Sequence, residues 1–343
     1  MATSGVLVER DAVGKVQDLA EAFVNAEKRM LPFMSAIPKG SAPVNSQLEY
    51  PVEKFDTPNT NGASDEADPV QYQNPRQNDA LLYARVQTWE RAARVGGHAV
   101  TFMNLAGVTP RNVIAKAIAK KLIELKTDME LTMLSDNEAQ IETSSSTPNK
   151  TRGLGKWISS TAGSVYPVDS NYLTPAASID ASTTTGAYTD QTITAVAESM
   201  YLQHGDMEQE VVVWCGADWK RNLGRITFYS RNDPSSNYTQ VRRFVQTDLD
   251  QVQLGKVDVL ETDFGRFVVR LDRWINASGD QTTSASKLLA LAVPTRLLEL
   301  RMSETPYMLP LARTGRNQKF LVTATGALAV TNPLPLGAWR PAS

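Results

Sequence analysis

Hydrophobic positions recur most regularly between residues 109 and 136. Ile114, Ile118, Leu122, Leu125, Met129 and Met133 fall three or four apart, one stripe of a helix, with Lys116, Lys120, Lys126 and Asp128 largely off it. Thr109 followed by Pro110 is a helix start: the Thr hydroxyl accepts from an orphan backbone N–H, and Pro occupies a position whose N–H is not needed. The pattern predicts a helix over 109–136, about 40 Å long at about 1.5 Å per residue. That is far above the usual three turns, so other parts of the chain are expected to lie against it.

Upstream, a shorter amphipathic pattern of Val13, Val16, Leu19, Phe23 and Ala26 ends at Leu31 and Pro32, where Pro32 is expected to turn the chain out of helix into an extended arm. Over 46–55, Leu48, Tyr50 and Val52 alternate with Gln47, Glu49 and Glu53, the period of a half-buried strand. A second extended stretch covers 81–95, with Tyr83, Val86, Trp89 and Val95 among charged neighbours. Between them lies a long polar connection rich in Asn, Asp, Gly, Pro and Gln, containing the acidic group Asp65, Glu66 and Asp68. Connections of that length in a compact domain are functional or disordered. A two-stranded flap with a polar tip has little apolar surface of its own, and isolated hairpins are marginal in water, so support from outside the subunit is expected.

Beyond the helix come a Ser/Thr-rich linker at 142–150 and a loop of low apolar content at 160–189. Thr189 or Asp190 caps a second helix carrying Ile193, Val196, Ala197, Met200 and Tyr201, which is expected to stop at Gly205. The run 210–215 reads as a buried strand, 218–226 as helix or turn, and 256–260 with 266–270 as a hairpin about Thr262, Asp263, Phe264 and Gly265. A further buried strand is predicted over 287–293, then a strand pair, 320–325 and 327–331, about Gly326, and a Pro-rich tail over 333–341. The fold class is α+β, with no alternating βαβ register and no internal repeat.

Composition narrows the function. The 343 residues are 42% hydrophobic and 21% charged, enough for one or two cores. A formal net charge of −2 gives no global basic character of the kind that marks a dedicated nucleic-acid binder. Cys215 is the only cysteine and His98 and His204 the only histidines, so neither a disulfide framework nor a Cys- or His-rich metal site is expected, and a reducing compartment is the simplest home. No secretory signal and no apolar run of membrane-spanning length is present, so no membrane partner is expected.

The chemistry that survives is sparse. Gly153, Gly155 and Lys156 invite a phosphate-loop reading, but Lys150 stands where the motif needs its first glycine and Trp157 where it needs Ser or Thr. Cys215 as nucleophile with His204 as base would make a hydrolase, yet a lone Cys at the end of Val211, Val212, Val213 and Trp214 reads as a small buried hydrophobe. Asp258, Glu261 and Asp263 flank a hairpin turn and read as solvated acids. No catalytic constellation, cofactor or metal site is expected.

The order of parts resembles the major capsid protein of tailed phages with the HK97 fold, and more narrowly the SU10-like major head protein family. The likeness covers most of the chain. It rests on the run from Leu31 through Gly40, on Arg152, Gly153 and Leu154 with Trp157 and Ile158, on Trp219, Lys220 and Arg221, on the stretch about Asp263, Phe264 and Gly265, and on Thr331, Asn332 and Pro333.

The resemblance implies an N-terminal arm over 1–40 and an extended E-loop over 41–95 that reaches over a neighbouring subunit. It implies a peripheral domain over 96–152 with a spine helix at 109–136, a mainly axial domain over 153–306, and a return to the peripheral domain with a tail over 307–343. The function it implies is non-enzymatic: self-assembly into pentamers and hexamers of an icosahedral head around double-stranded DNA, in a virion assembled in the host cytoplasm. The expected partners are further copies of the chain, a separate scaffolding protein, a portal protein, the packaged DNA without sequence readout, and in some heads a decoration protein. Asp65, Glu66 and Asp68 are candidate intersubunit contacts, and Lys116, Lys120 and Lys126 candidate DNA-facing residues, with a solvated helix face, including a Lys120–Glu124 pair, as the plain alternative. An encapsulin-like shell is the rival within the same fold. Lys54 lies in the flap, but no Asn is singled out as a crosslinking partner.

Overall fold

The computed structural model describes residues 30–56, 58, 60, 74–97, 113–183, 189–204, 210–228, 246–248, 251–252, 258–275, 290–313 and 315–341. In chain order they form α1 (Pro32–Ala36), β1 (Gln47–Val52), β2 (Ala80–Arg85), β3 (Gln87–Val95), α2 (Val113–Met133), α3 (Leu154–Trp157), β4 (Ile179–Thr183), α4 (Asp190–His204), β5 (Val211–Cys215), α5 (Ala217–Phe228), β6 (Gln246–Asp248), β7 (Gln251–Val252), β8 (Val259–Thr262), β9 (Gly265–Leu271), β10 (Ala290–Pro294), β11 (Leu298–Leu311), β12 (Gln318–Val330) and β13 (Gly337–Pro341). The amphipathic pattern at 13–26, the helix start at Thr109 and Pro110, Gly205 and the acidic group at 65–68 lie outside the described residues.

Two sheets organise the subunit. A three-stranded antiparallel sheet runs β11, β12, β3, and α2 packs across it. The predicted stripe faces that sheet: Leu125, Met129 and Met133 are buried, while Ile114, Ile118 and Leu122 are partly buried against the same core. A six-stranded mixed sheet runs β4, β13, β10, β5, β9, β8, with β4 beside β13 and β5 beside β9 parallel and the other pairs antiparallel. Alternation along its central strands divides the core in two. Val211, Val213, Cys215, Ala290 and Ala292 face α4 and α5 with Trp219 and Trp339, whereas Val212, Trp214, Leu291 and Val293 face the main core with Phe33 and Trp157.

Local chemistry explains several boundaries. Thr189 and Thr192 cap α4 reciprocally, Thr192 N–H donating to Thr189 Oγ1 at 3.3 Å and Thr189 N–H to Thr192 Oγ1 at 3.1 Å. The turn from β8 to β9 closes at Gly265, whose φ of 151° suits a residue without a Cβ.

Several sequence expectations are corrected. Pro32 opens a helical turn because it occupies the first helical position, where its missing N–H costs nothing. The extended stretch at 81–95 is two strands: β2 pairs with β1 as far as Arg85, and β3 leaves the flap to pair with β12. Gly326 makes no turn. Strand β12 runs straight through it, and a Cβ there would come 2.8 Å from the Arg301 carbonyl oxygen and 2.6 Å from Met302 Sδ, where β11 bulges. The Pro-rich tail is an interior strand, β13, seated between β4 and β10.

Trp339 of β13 is buried against Trp219, ring centroids 5.0 Å apart. Trp339→Ala is therefore expected to cost about 3–5 kcal/mol in urea unfolding. A tail lying on the surface would give less than about 0.5 kcal/mol.

Candidate functional site

Among the described residues the features that stand out are the joints that make the subunit rigid and the surfaces it leaves open. The main joint lies where the chain enters. The first turn of α1 presents its orphan N–H groups to Glu130 of α2: Phe33 N–H donates to Oε1 at 2.9 Å and Met34 N–H to Oε2 at 2.7 Å. Phe33 meets Trp214 of β5 edge to face at 5.3 Å, and Trp274 Nε1 donates to the Met30 carbonyl at 3.0 Å. Leu300 N–H donates to Pro38 O at 2.9 Å and Gly40 N–H to Leu300 O at 3.1 Å, fixing the segment to β11. Residues 30–40 thus join α2, the six-stranded sheet and the three-stranded sheet.

A second joint gathers the residues that follow α2. Arg152 is almost fully buried and donates to Glu138 at 2.8 Å and to the carbonyls of Val165 and Tyr166 at 2.7 and 2.8 Å, with its guanidinium 4.8 Å from the Trp157 ring. These bonds hold Tyr166 at a φ of 54°, a left-handed conformation uncommon for a bulky residue. Gly153 packs so closely on Ser135 that a Cβ would collide with that residue's carbonyl oxygen. Arg340 of β13 reaches Asp136 Oδ2 at 3.2 Å and the carbonyls of Gly155 and Ile158. Burial raises the Asp136 carboxyl above its ordinary range, with Arg340 opposing the shift.

The strained Tyr166 supports the flap. Its ring stacks on Tyr83 of β2 at 5.6 Å, and its hydroxyl donates to Gln47 Oε1 at 2.9 Å. Tyr172 donates to the Asn78 carbonyl at 2.6 Å, and Leu48, Leu82 and Ala84 are buried in the main core. The base of the hairpin is therefore held inside the subunit, which corrects the expectation that its support comes only from outside. Farther out the flap is open, with Phe55 92% exposed.

Other surfaces are also uncovered. The outer half of β11, an edge strand, exposes Tyr307, Met308, Leu309 and Leu311. On α2, Lys116 and Lys120 are exposed and Lys126 is half-buried. Glu124 pairs with Lys121 at 2.6 Å instead of forming the expected pair with Lys120. Asp65, Glu66 and Asp68 lie outside the described residues.

Cys215 is fully buried in the centre of the six-stranded sheet, and burial pushes its thiol up to about 12. His204 is the last residue of α4, and the position of its side chain is not among the described features. Among the described residues no group of His, Cys, Asp and Glu is placed to hold a metal ion, and no helix is long and apolar enough to cross a membrane.

Comparison with known proteins identifies what these joints and surfaces belong to. No curated protein matches the chain. Solved structures match over nearly its whole length. A chain of Mycobacterium phage Bobi is 10% identical, with a TM-score of 0.57 and 96% of each chain covered. The capsid structure of the cyanophage P-SCSP1u is 10% identical, with a TM-score of 0.57, covering 98% of this chain and 97% of that one. The capsid of an empty GTA particle is 10% identical, with a TM-score of 0.61 and 96% of each chain covered. These likenesses show the fold, a mixed helix and sheet architecture consistent with HK97. The sequence family described as SU10 major capsid protein matches residues 3–339, and the chain belongs to that family.

Proposed function

We propose that copies of this major capsid protein, a structural protein that self-assembles into the shell of a phage head, form pentamers and hexamers in which the β1–β2 flap of one subunit extends over the next. The observation that carries this reading is the flap itself. Its base is bonded to the core, so its direction is set, while Phe55 stands 92% exposed, uncovered by the described residues. A contact between different patches of like copies closes into rings, and rings into shells. The apolar row on β11 is a second surface suited to burial between copies.

In this arrangement the chain before β3 supplies an N-terminal arm and an E-loop. The peripheral domain is α2 with the three-stranded sheet, and the axial domain is the six-stranded sheet with α4 and α5. Asp65, Glu66 and Asp68, between β1 and β2 in sequence, would dock on a basic neighbour. Lys116 and Lys120, with Lys126 less accessible, would face packaged double-stranded DNA, which needs no sequence readout. A separate scaffolding protein, a portal, assembly in the host cytoplasm and, in some heads, a decoration protein complete the proposal. The family favours this genome-enclosing head over an encapsulin-like shell.

Electron microscopy of purified protein with and without scaffold tests the reading, which requires shells containing pentamers and hexamers with the flap crossing between subunits. Reversing all three acids, Asp65→Lys, Glu66→Lys and Asp68→Lys, is expected to cut shell yield at least tenfold while the subunit's thermal unfolding stays unchanged; undiminished assembly would remove the docking role. Replacing Lys116, Lys120 and Lys126 with Gln should reduce genome retention in purified heads, and full retention would leave these residues as a solvated helix face. Iodoacetamide at about pH 8 should leave Cys215 unmodified in native protein and alkylate it in denaturant, as its raised ionisation range requires. Rapid native modification would reopen the hydrolase reading with Cys215 and His204.

A further inference from the structure

Two acids meet in the main joint. Glu130 projects from α2 and Asp272 follows β9, and both are 0% exposed. Both Glu130 oxygens accept backbone N–H groups from α1. Asp272 Oδ1 accepts the Trp274 N–H at 2.9 Å, whereas Oδ2 has no donor. Both acids serve the same segment, Glu130 by holding the first turn of α1 and Asp272 by capping the turn whose Trp274 binds the Met30 carbonyl, and each acts on the ionisation of the other. Side by side and out of water, two carboxylates cannot both ionise cheaply, so the stable state carries one proton between them.

We propose that this shared proton is a latch: it holds the first part of the entering segment, residues 30–37, on α2 and the six-stranded sheet, and its loss at alkaline pH releases that part of the chain. The geometry confines the effect. Residues 38–40 are pinned independently to Leu300 by two backbone hydrogen bonds. Residues 30–37 depend on Glu130, on Trp274 Nε1 in the turn that Asp272 caps, and on the contact of Phe33 with Trp214. The surrounding cations are engaged elsewhere. Arg270 lies over Trp214 at 5.7 Å and Arg273 over Trp274 at 4.8 Å, while Lys220 reaches Asp258 at 3.3 Å and Lys39 is exposed. Among the described residues a further titratable neighbour is Cys215 of β5, whose carbonyl accepts the Asp272 N–H at 2.9 Å and whose buried thiol stays neutral.

The direction follows from linkage. Burial, opposed by the two N–H donors and reinforced by Asp272, pushes Glu130 up to about 8 from an ordinary 4.5, and burial raises Asp272 as well. The latched state keeps a proton that the open state gives up, so latching is full below about pH 4.5, weakens as pH rises and is lost above about pH 8. Across that window the opening equilibrium changes by up to about tenfold per pH unit.

The test is amide hydrogen exchange of the full-length protein between about pH 6 and 9, corrected for intrinsic base-catalysed exchange and read at Phe33 and Met34. Wild type is expected to open about tenfold more per pH unit up to about pH 8 and then level off, with β12 unaffected. Glu130→Gln and Asp272→Asn each place a permanent N–H between the two side chains, and each should give a flat profile. A flat wild-type profile, or a folded variant retaining the wild-type slope, overturns the latch. Should Glu130→Gln lose its native tryptophan emission, Asp272→Asn decides. Should both fail to fold, a wild-type slope confined to residues 30–37 supports the latch and a slope shared with β12 overturns it.

Discussion

Polar groups on the buried side of a helix must find partners inside the protein, and the last two turns of α2 and the residues just after them carry many such groups. At the surface Asp128 takes Arg91 of β3; on the buried side Thr132 accepts from Trp89, and Glu130 takes the first turn of α1. Ser135 accepts from Gly155, Asp136 binds Arg340, and Glu138 binds Arg152. The partners come from β3, α1, the stretch 152–155 and β13. Satisfying residues 128–138 therefore fixes the entering segment, both sheets and the support of the flap relative to one helix end, because an unpaired buried polar group costs about 1–3 kcal/mol.

This concentration of joints suits a shell subunit. A capsid protein has to present the same surfaces in every copy, so the elements carrying those surfaces must not drift relative to each other. The flap meets that need through Tyr166, held in an unusual backbone conformation by Arg152 and stacked on Tyr83. The apolar row of β11 meets it through a long antiparallel pairing with β12, which β3 and α2 back. Rigidity lies inside the subunit, and the uncovered apolar surface lies at its periphery.

Much of the architecture was legible in the sequence where a single period governs burial. The α2 stripe, the buried run of β5 and the hairpin of β8 and β9 are of this kind, and Cys215 was readable as a buried hydrophobe from its neighbours alone. What failed depended on partners distant in sequence. Proline reads as a breaker, yet Pro32 opens a turn because Glu130 waits for the N–H groups behind it. Glycine reads as a turn, yet Gly326 is needed for close approach to β11. Pro-rich composition reads as a tail, yet Trp339 fills a core. Glu130 and Asp272 gave no local signal, since nothing around either residue announces that two remote acids will meet in a dry interior. Arg152, Gly153, Leu154, Trp157 and Ile158 were noticed as a family likeness, and the structure supplies their physical reason: they close the second joint.

The position of β13 has a consequence for how the subunit comes into being. Between β4 and β10 there is a place filled by residues 337–341, which come long after β4 in the chain. Synthesis reaches β13 after every other strand of this sheet, so the six-stranded sheet closes late, through pairings between residues distant in sequence. A chain cut before residue 337 therefore lacks both that strand and the tie of Arg340 to Asp136, just beyond α2. Closure of the sheet is thus tied to the arrival of residues 337–341, and a copy without them keeps a gap between two strands where Trp339 should fill the core.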